Sequence, residues 1–296
     1  MPNLDINLKN IFDLFKNNEL DKALELCDQN TQKKIEHIIY NFKGAIYLKK
    51  QNIIKAQENF LSSIESNKDF IDPYKNLFII YNNKKEFNNL VEIAFKILEF
   101  DKKSSVYNFQ VGYALEKNGH LSKSLEYYEK ANNLGFNDKK KLFNNLANVY
   151  LNLGNIDKAI ELYENTYLEN TKDKVLLNNL LGAYLQKRNV EKSAYYLNEG
   201  EKLDSEYLIF KFHKAKYLFL INKVDEAINL LKEIISTENN IEFIGLLCRI
   251  YFMTSRLTDG NKLLTEQLSK YPNNPKLLRF KCFRSLIEGN FDEGWK

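Results

Sequence analysis

Between residues 143 and 163 apolar side chains recur at helical spacing. Phe143, Leu146, Ala147 and Tyr150 lie at i, i+3, i+4 and i+7, one face of a first helix. Gly154-Asn155 interrupts the pattern, as a turn pair does at a helix end. Ile156 opens a second helix in which Ala159, Leu162 and Tyr163 share one face. Two helices joined by so short a turn fold back as an antiparallel hairpin. Small Ala147 and Ala159 let the two backbones approach, and Tyr150 and Tyr163 fill the space beside that contact.

The same pattern returns along the whole chain. NLANVYLNLGNIDKAIELY (145–163) aligns with NLLGAYLQKRNVEKSAYYL (179–197) at an offset of 34 residues, Tyr150 on Tyr184 and Lys158 on Lys192. Further copies read NELDKALELC (18–27), QNIIKAQENF (51–60), KEFNNLVEIAF (85–95), NGHLSKSLEYYEK (118–130), NKVDEAINLL (222–231) and SRLTDGNKLL (255–264). Units begin near Leu4, His37, Ile71, Ser105, Lys140, Lys174, Leu208, Ile241 and Pro275. The expectation is one array over 1–296, eight units complete and a ninth, 275–296, cut short. Gly44, Gly112, Ala147, Ala215, Cys248 and Cys282 are the small residues of first helices. Ala23, Ala56, Ser124, Ala159, Ser193, Ala227 and Gly260 are those of second helices. Phe78, Leu90 and Leu181 are large at such sites and predict less regular packing there.

This alternation of small and large residues at a 34-residue period resembles the tetratricopeptide repeat family, and the resemblance covers essentially the whole chain. The family's proline after the second helix occurs once, as Pro272, and its early tryptophan is replaced by Tyr40, Tyr74, Phe143 or Leu177. The resemblance implies an all-α fold, a right-handed superhelical solenoid of antiparallel helix pairs with first helices lining a concave face.

Asparagine is a poor helix former, yet Asn144, Asn145, Asn148 and Asn152 crowd one first helix. Position six of a unit lies about 200° round the helix from the small site, so it faces away from the hairpin seam. Its occupants in five consecutive units are Asn76, Gln110, Asn145, Asn179 and His213, all able to donate and accept hydrogen bonds. Phe42 and Leu246 end the column. Asn148 and Asn152 widen the stripe below Asn145, and Gln186 does so below Asn179. Such a column could grip the backbone of an extended peptide, and it is similar to the asparagine ladder in the tetratricopeptide arms of protein O-glycosyltransferases. A solvated face in an asparagine-rich chain would look the same. Asn144 and Asn178 read as solvated edge residues. Changing Asn145 and Asn179 to Ala is expected to weaken partner binding with stability nearly intact.

Composition narrows the rest. Lys and Arg number 43 against 39 Asp and Glu, too even for nucleic-acid binding. The most apolar stretch, YLIFKFHKAKYLFLI (207–221), carries three lysines and a histidine and does not read as a membrane span. The start, MPNLDINLKNIFDLF, lacks the unbroken apolar core of a signal peptide, so a cytoplasmic setting is expected. Cys27, Cys248 and Cys282 read as buried thiols, and His37, His120 and His213 stand apart from any metal-ligand spacing. With no phosphate loop, nucleophile elbow or metal motif, neither enzyme chemistry nor a cofactor nor a metal is expected. The expected function is a protein-binding scaffold that takes a peptide or partner helix in its groove.

One segment suggests an alternative. GNFDEGWK (289–296) resembles the G-x-F-x-E-G-W segment of bacterial proteins in which such repeats run into a glycosyltransferase domain. On that resemblance the chain would be a substrate-recruiting arm without the catalytic domain. Its last helix would then meet another domain or subunit.

Overall fold

A computed structural model describes residues 2–30, 32–287 and 289. Every regular element among them is helical, with no strand. The helices come in pairs: α1 (Pro2–Lys16) with α2 (Leu20–Asp28), α3 (Glu36–Lys49) with α4 (Ile53–Ser66), α5 (Asp72–Lys84) with α6 (Phe87–Phe100), and α7 (Ser105–Lys117) with α8 (Leu121–Asn133). Then follow α9 (Lys139–Asn152), α10 (Ile156–Leu168), α11 (Lys174–Gln186) with α12 (Val190–Leu203), α13 (Leu208–Leu220) with α14 (Val224–Thr237), α15 (Ile241–Met253) with α16 (Leu257–Lys270), and α17 (Pro275–Ile287). A short three-ten turn, Lys33–Ile35, leads into α3. No described helix is long and apolar enough to cross a membrane.

The helices form two compact bodies, residues 1–153 and 154–296. Within each, successive helices pack, and first helices also touch the first helix of a neighbouring unit. These contacts are α1 with α3, α3 with α5 and α7 with α9 in the first body, and α11 with α13, α13 with α15 and α15 with α17 in the second. Second helices make no comparable contact with one another among the described residues. First helices therefore build a layer of their own in each body.

The small residues sit where a neighbouring helix drives a ring into the seam. A Cβ on Gly44 would lie 2.6 Å from the Phe60 ring, one on Gly112 2.7 Å from Tyr128, and one on Gly260 2.9 Å from Phe252. Phe60 and Tyr128 are fully buried. Burying each contributes about 2–3 kcal/mol, which a methyl group in the seam would forfeit in part. Hydroxyls tie the seam as well: Ser63 Oγ donates to the His37 carbonyl at 2.6 Å and Ser124 Oγ to the Gly112 carbonyl at 2.8 Å. The large exceptions are absorbed: Leu90 and Leu181 are fully buried and Phe78 half-buried.

Each hairpin turns on one residue in the left-handed backbone region. These are Asn18, Gln51, Lys85, Gly119, Gly154, Arg188, Asn222 and Ser255, with φ from 58° to 83°. The helices that follow are often capped by asparagine. The side-chain oxygens of Asn52, Asn155 and Asn189 accept from the amides of Lys55, Lys158 and Lys192. That of Asn240 accepts from Glu242 N at 2.9 Å. Each cap contributes about 1 kcal/mol. Part of the chain's asparagine content is thus accounted for by helix starts.

Candidate functional site

The first-helix layer carries the residues that the repeat phase singles out. In the first body their polar groups are largely spent on neighbouring units. Asn76 is half-buried, and its Nδ2 donates to Asn41 Oδ1, 3.1 Å away on α3. The Tyr113 hydroxyl on α7 donates to Asn82 Oδ1 on α5 at 3.0 Å. Asn145 Nδ2 donates to the Tyr128 hydroxyl at 3.2 Å, and that hydroxyl donates to Glu116 Oε2 at 2.7 Å. Burial, and then the Glu116 charge, push the Tyr128 phenol far above its ordinary value. Gln110 is half-buried, and its Oε1 is buried with no hydrogen-bond partner among the described residues. Asn148 is half-buried and Asn152 exposed.

Asn145 thus holds a buried ring as well as facing the layer. Removing it is expected to cost about 1 kcal/mol through loss of this bond, on top of any loss of partner binding. Asn41 was not singled out from the sequence. It stands at position five of its unit, the same position as Asn144 and Asn178.

In the second body, Asn179 is half-buried and Gln186 exposed. His213 departs from the expected groove-facing position: it is buried, with 5% exposure. The ring packs beside Gly182 on α11, where a Cβ would lie at ordinary contact distance, 3.4 Å from His213 Cε1. His213 Nε2 lies 2.6 Å from Asn178 Oδ1. That oxygen can only accept, so Nε2 carries the proton of the neutral ring. Nδ1 is buried with no hydrogen-bond partner. Burial, and then the charge of Lys216, lower the His213 pKa to about 3. Asn178 is correspondingly no solvated edge residue. It is half-buried, it bonds His213, and its Nδ2 donates to Asn179 Oδ1 at 3.1 Å.

A second polar cluster lies beside α10. Glu164 accepts from the hydroxyls of Tyr184 at 2.6 Å and Tyr196 at 3.1 Å, with Lys192 Nζ 3.7 Å away. Burial first, then Glu164, raises both phenols, so they stay protonated donors. Tyr184 and Tyr196 are both buried.

No group of three or more His, Cys, Asp or Glu able to hold a metal occurs among the described residues. Cys27 and Cys248 are buried, and burial pushes both thiols up to about 12, away from nucleophilic use. Cys282 differs from the expected buried thiol in being half-exposed. His120 is exposed, as its turn position predicts. The GNFDEGWK segment, Gly289 apart, lies outside the described residues.

Comparison with known proteins fits this geometry. A tetratricopeptide repeat model matches residues 106–134 and 141–165. Among curated proteins, "Photosystem I assembly protein Ycf3" of Prochlorococcus marinus is similar at 36% identity over 93 residues, 30% of this chain and 53% of that protein. The chain spans about half the length of the curated relatives it matches. A tetratricopeptide repeat protein from Parabacteroides merdae is similar in fold, with a TM-score of 0.58 at 14% identity over 88% of this chain and 89% of that one. The crystal structure of the APC/C hetero-tetramer Cut9-Hcn1 gives a TM-score of 0.60 at 15% identity, over 88% of this chain and 52% of that one. A thermophilic protein of the same repeat type from Thermus thermophilus gives 0.53 at 19% identity, over 60% of this chain and 97% of that one. Repeated helix hairpins, small residues in most seams and these matches together show a fold of tetratricopeptide repeat type.

Proposed function

We propose that the chain is a non-catalytic scaffold that binds an extended segment of another protein along its first-helix layer. The observation that carries this reading is a pair of amides one turn apart on α9 in the first body, half-buried Asn148 and exposed Asn152; in the second body exposed Gln186 on α11 stands at the place equivalent to Asn152. Primary amides both donate and accept, so each body by itself offers groups that match the N–H and C=O of an extended backbone without reading its side chains. The assembly role printed in the name of the curated relatives, and the hetero-tetrameric state of a fold neighbour, favour a partner that is itself a protein.

The test begins with cross-linked capture by the intact chain and mass spectrometry of what is retained. The N148A/N152A/Q186A variant is then titrated against the retained partner. It should bind about tenfold more weakly, with thermal unfolding of the same variant separating lost binding from lost fold. An unchanged Kd refutes the amide contacts.

A second reading rests on GNFDEGWK alone: the chain as the recruiting arm of a repeat-linked glycosyltransferase. Reading the gene past codon 296 decides it. A frame that enters an α/β glycosyltransferase domain supports it, and a stop codon removes it.

A further inference from the structure

The chain contains one Asn-Gly pair, Asn118-Gly119, and it forms the turn between α7 and α8. Gly119 is exposed with φ 81°, and a Cβ built on it would meet nothing within 4 Å. Asn118 ends α7, half-buried, with φ −85° and ψ 2°. Its side-chain amide makes no hydrogen bond among the described residues. Other asparagines are tied down. Asn52, Asn155 and Asn189 each accept from a backbone amide, and Asn76 and Asn145 bond to side chains of other helices. Asn18 and Asn222 also sit in hairpin turns, but Glu19 and Lys223 follow them. Asp259-Gly260, the matching acidic pair, lies inside α16 with Gly260 buried against the Phe252 ring.

An asparagine carboxamide is an electrophile for the backbone nitrogen of the next residue. Glycine obstructs that approach least, since it has no side chain and the widest choice of backbone angles. The Gly119 nitrogen attacks Asn118 Cγ and an N–Cγ bond forms. The nitrogen's proton passes through solvent to the departing amide nitrogen, which leaves as ammonia, and a five-membered imide remains. Water then opens the imide. Attack at the side-chain carbonyl gives aspartate, and attack at the backbone carbonyl gives isoaspartate. The sequence consumes one water, releases one ammonia and needs no oxidant.

The turn restrains this chemistry. Gly119 N donates to the Glu116 carbonyl at 3.0 Å, Asn118 N to the Ala114 carbonyl at 3.0 Å, and His120 N to the Leu115 carbonyl at 2.9 Å. Ring closure has to break the first of these and turn the Asn118 ψ away from 2°. A helix end opens in this way without global unfolding.

We propose that Asn118 is a self-modifying site whose deamidation is gated by fraying of the last turn of α7. The product carries a new anion at the C-terminal end of that helix, where the helix dipole disfavours it. It also stands two residues beyond Glu116, which accepts the Tyr128 hydroxyl at 2.7 Å and pairs with Lys117 at 3.1 Å. A second carboxylate competes for Lys117, and isoaspartate adds a backbone atom to a tight turn. Both products loosen the hairpin whose seam holds Tyr128. None of the residues named for partner binding takes part.

The experiment holds the full chain in warm, mildly alkaline buffer beside a synthetic peptide of residues 114–123, which sets the rate of the open chain. Peptide mapping by mass spectrometry locates the amide-to-acid change, and methyl transfer by an isoaspartyl methyltransferase detects the isoaspartate. Position 118 should convert before any other asparagine and give both isomers. It should do so about tenfold more slowly than the peptide, and urea below the unfolding transition should narrow that gap. N118Q, whose longer side chain has to close a larger ring, should lose the methyl label. N118D should melt about 2 °C lower than the unmodified chain.

Another asparagine converting first, a methyl label that persists in N118Q, or no change at 118 once the peptide is consumed overturns the site. A rate equal to the peptide's overturns the gate. An N118D melting temperature equal to that of the unmodified chain overturns the loosening of the hairpin.

Discussion

In the first body the first-helix layer is tied together by neutral hydrogen bonds between units: Asn76 to Asn41, Tyr113 to Asn82, Asn145 to Tyr128. In the second body the same layer begins with a neutral pair, His213 with Asn178, and then turns apolar and cationic through Phe212, Lys216, Arg249 and Met253. The backbone plan is common to both. The difference shows that repeat phase decides where a side chain stands, while residue type decides whether that place serves cohesion or an outside partner. Amides can do both. Lys216 instead lies over the Phe212 ring, a cation–π contact within its own helix.

The comparison is broken most forcefully at Tyr128. It is fully buried in the first body and its hydroxyl joins Glu116 to Asn145. Y128A should cost about 4 kcal/mol by urea unfolding, the cavity and the orphaned polar groups acting together. A loss below about 1 kcal/mol would mean that the network is not what holds this part of the layer.

Acid probes the second body. The His213 pKa lies well below its ordinary value of 6.5, so the unfolded chain takes up a proton that the folded chain refuses. The contribution is intact above about pH 6.5, is lost as pH falls below it, and goes on falling toward about pH 3. Unfolding measured at pH 6.5 and pH 5 should differ by about 2 kcal/mol on this account, at 1.36 kcal/mol per unit of pH. H213N should flatten that dependence. An H213N profile as steep as wild type would assign the acid sensitivity to other groups.

The smallest effect tests what the bodies share. Lys85 in the first and Arg188 in the second both occupy left-handed turns, at φ 58° and 60°. K85G and R188G should each stabilise by about 0.5–1 kcal/mol, since glycine takes that conformation without a Cβ clash. Unequal gains in thermal unfolding would show that the two turns are held differently.

Much of this was legible in the sequence because it depends on neighbours one helical turn away. Small residues at Gly44, Gly112 and Gly260 mark the seams, and each proves to face a ring. What escaped depends on side chains about one repeat distant. His213 reads as a groove residue until Gly182 and Asn178, on the preceding first helix, are seen to pack beside it and bond it. Asn41 matters only through Asn76, 35 residues on. Gln51, Lys85, Arg188 and Ser255 carry no turn signature, so their backbone conformation could not be read from type.

Those turn residues bear on kinship. The two stretches that match the family model, 106–134 and 141–165, contain Gly119 and Gly154, whereas the other complete hairpins pivot on Asn, Gln, Lys, Arg or Ser. The backbone angle is nearly constant from turn to turn while the amino acid is not. In such an array the period is carried by a dihedral rather than by a shared letter, so a unit can keep its geometry after losing the residue that would announce it.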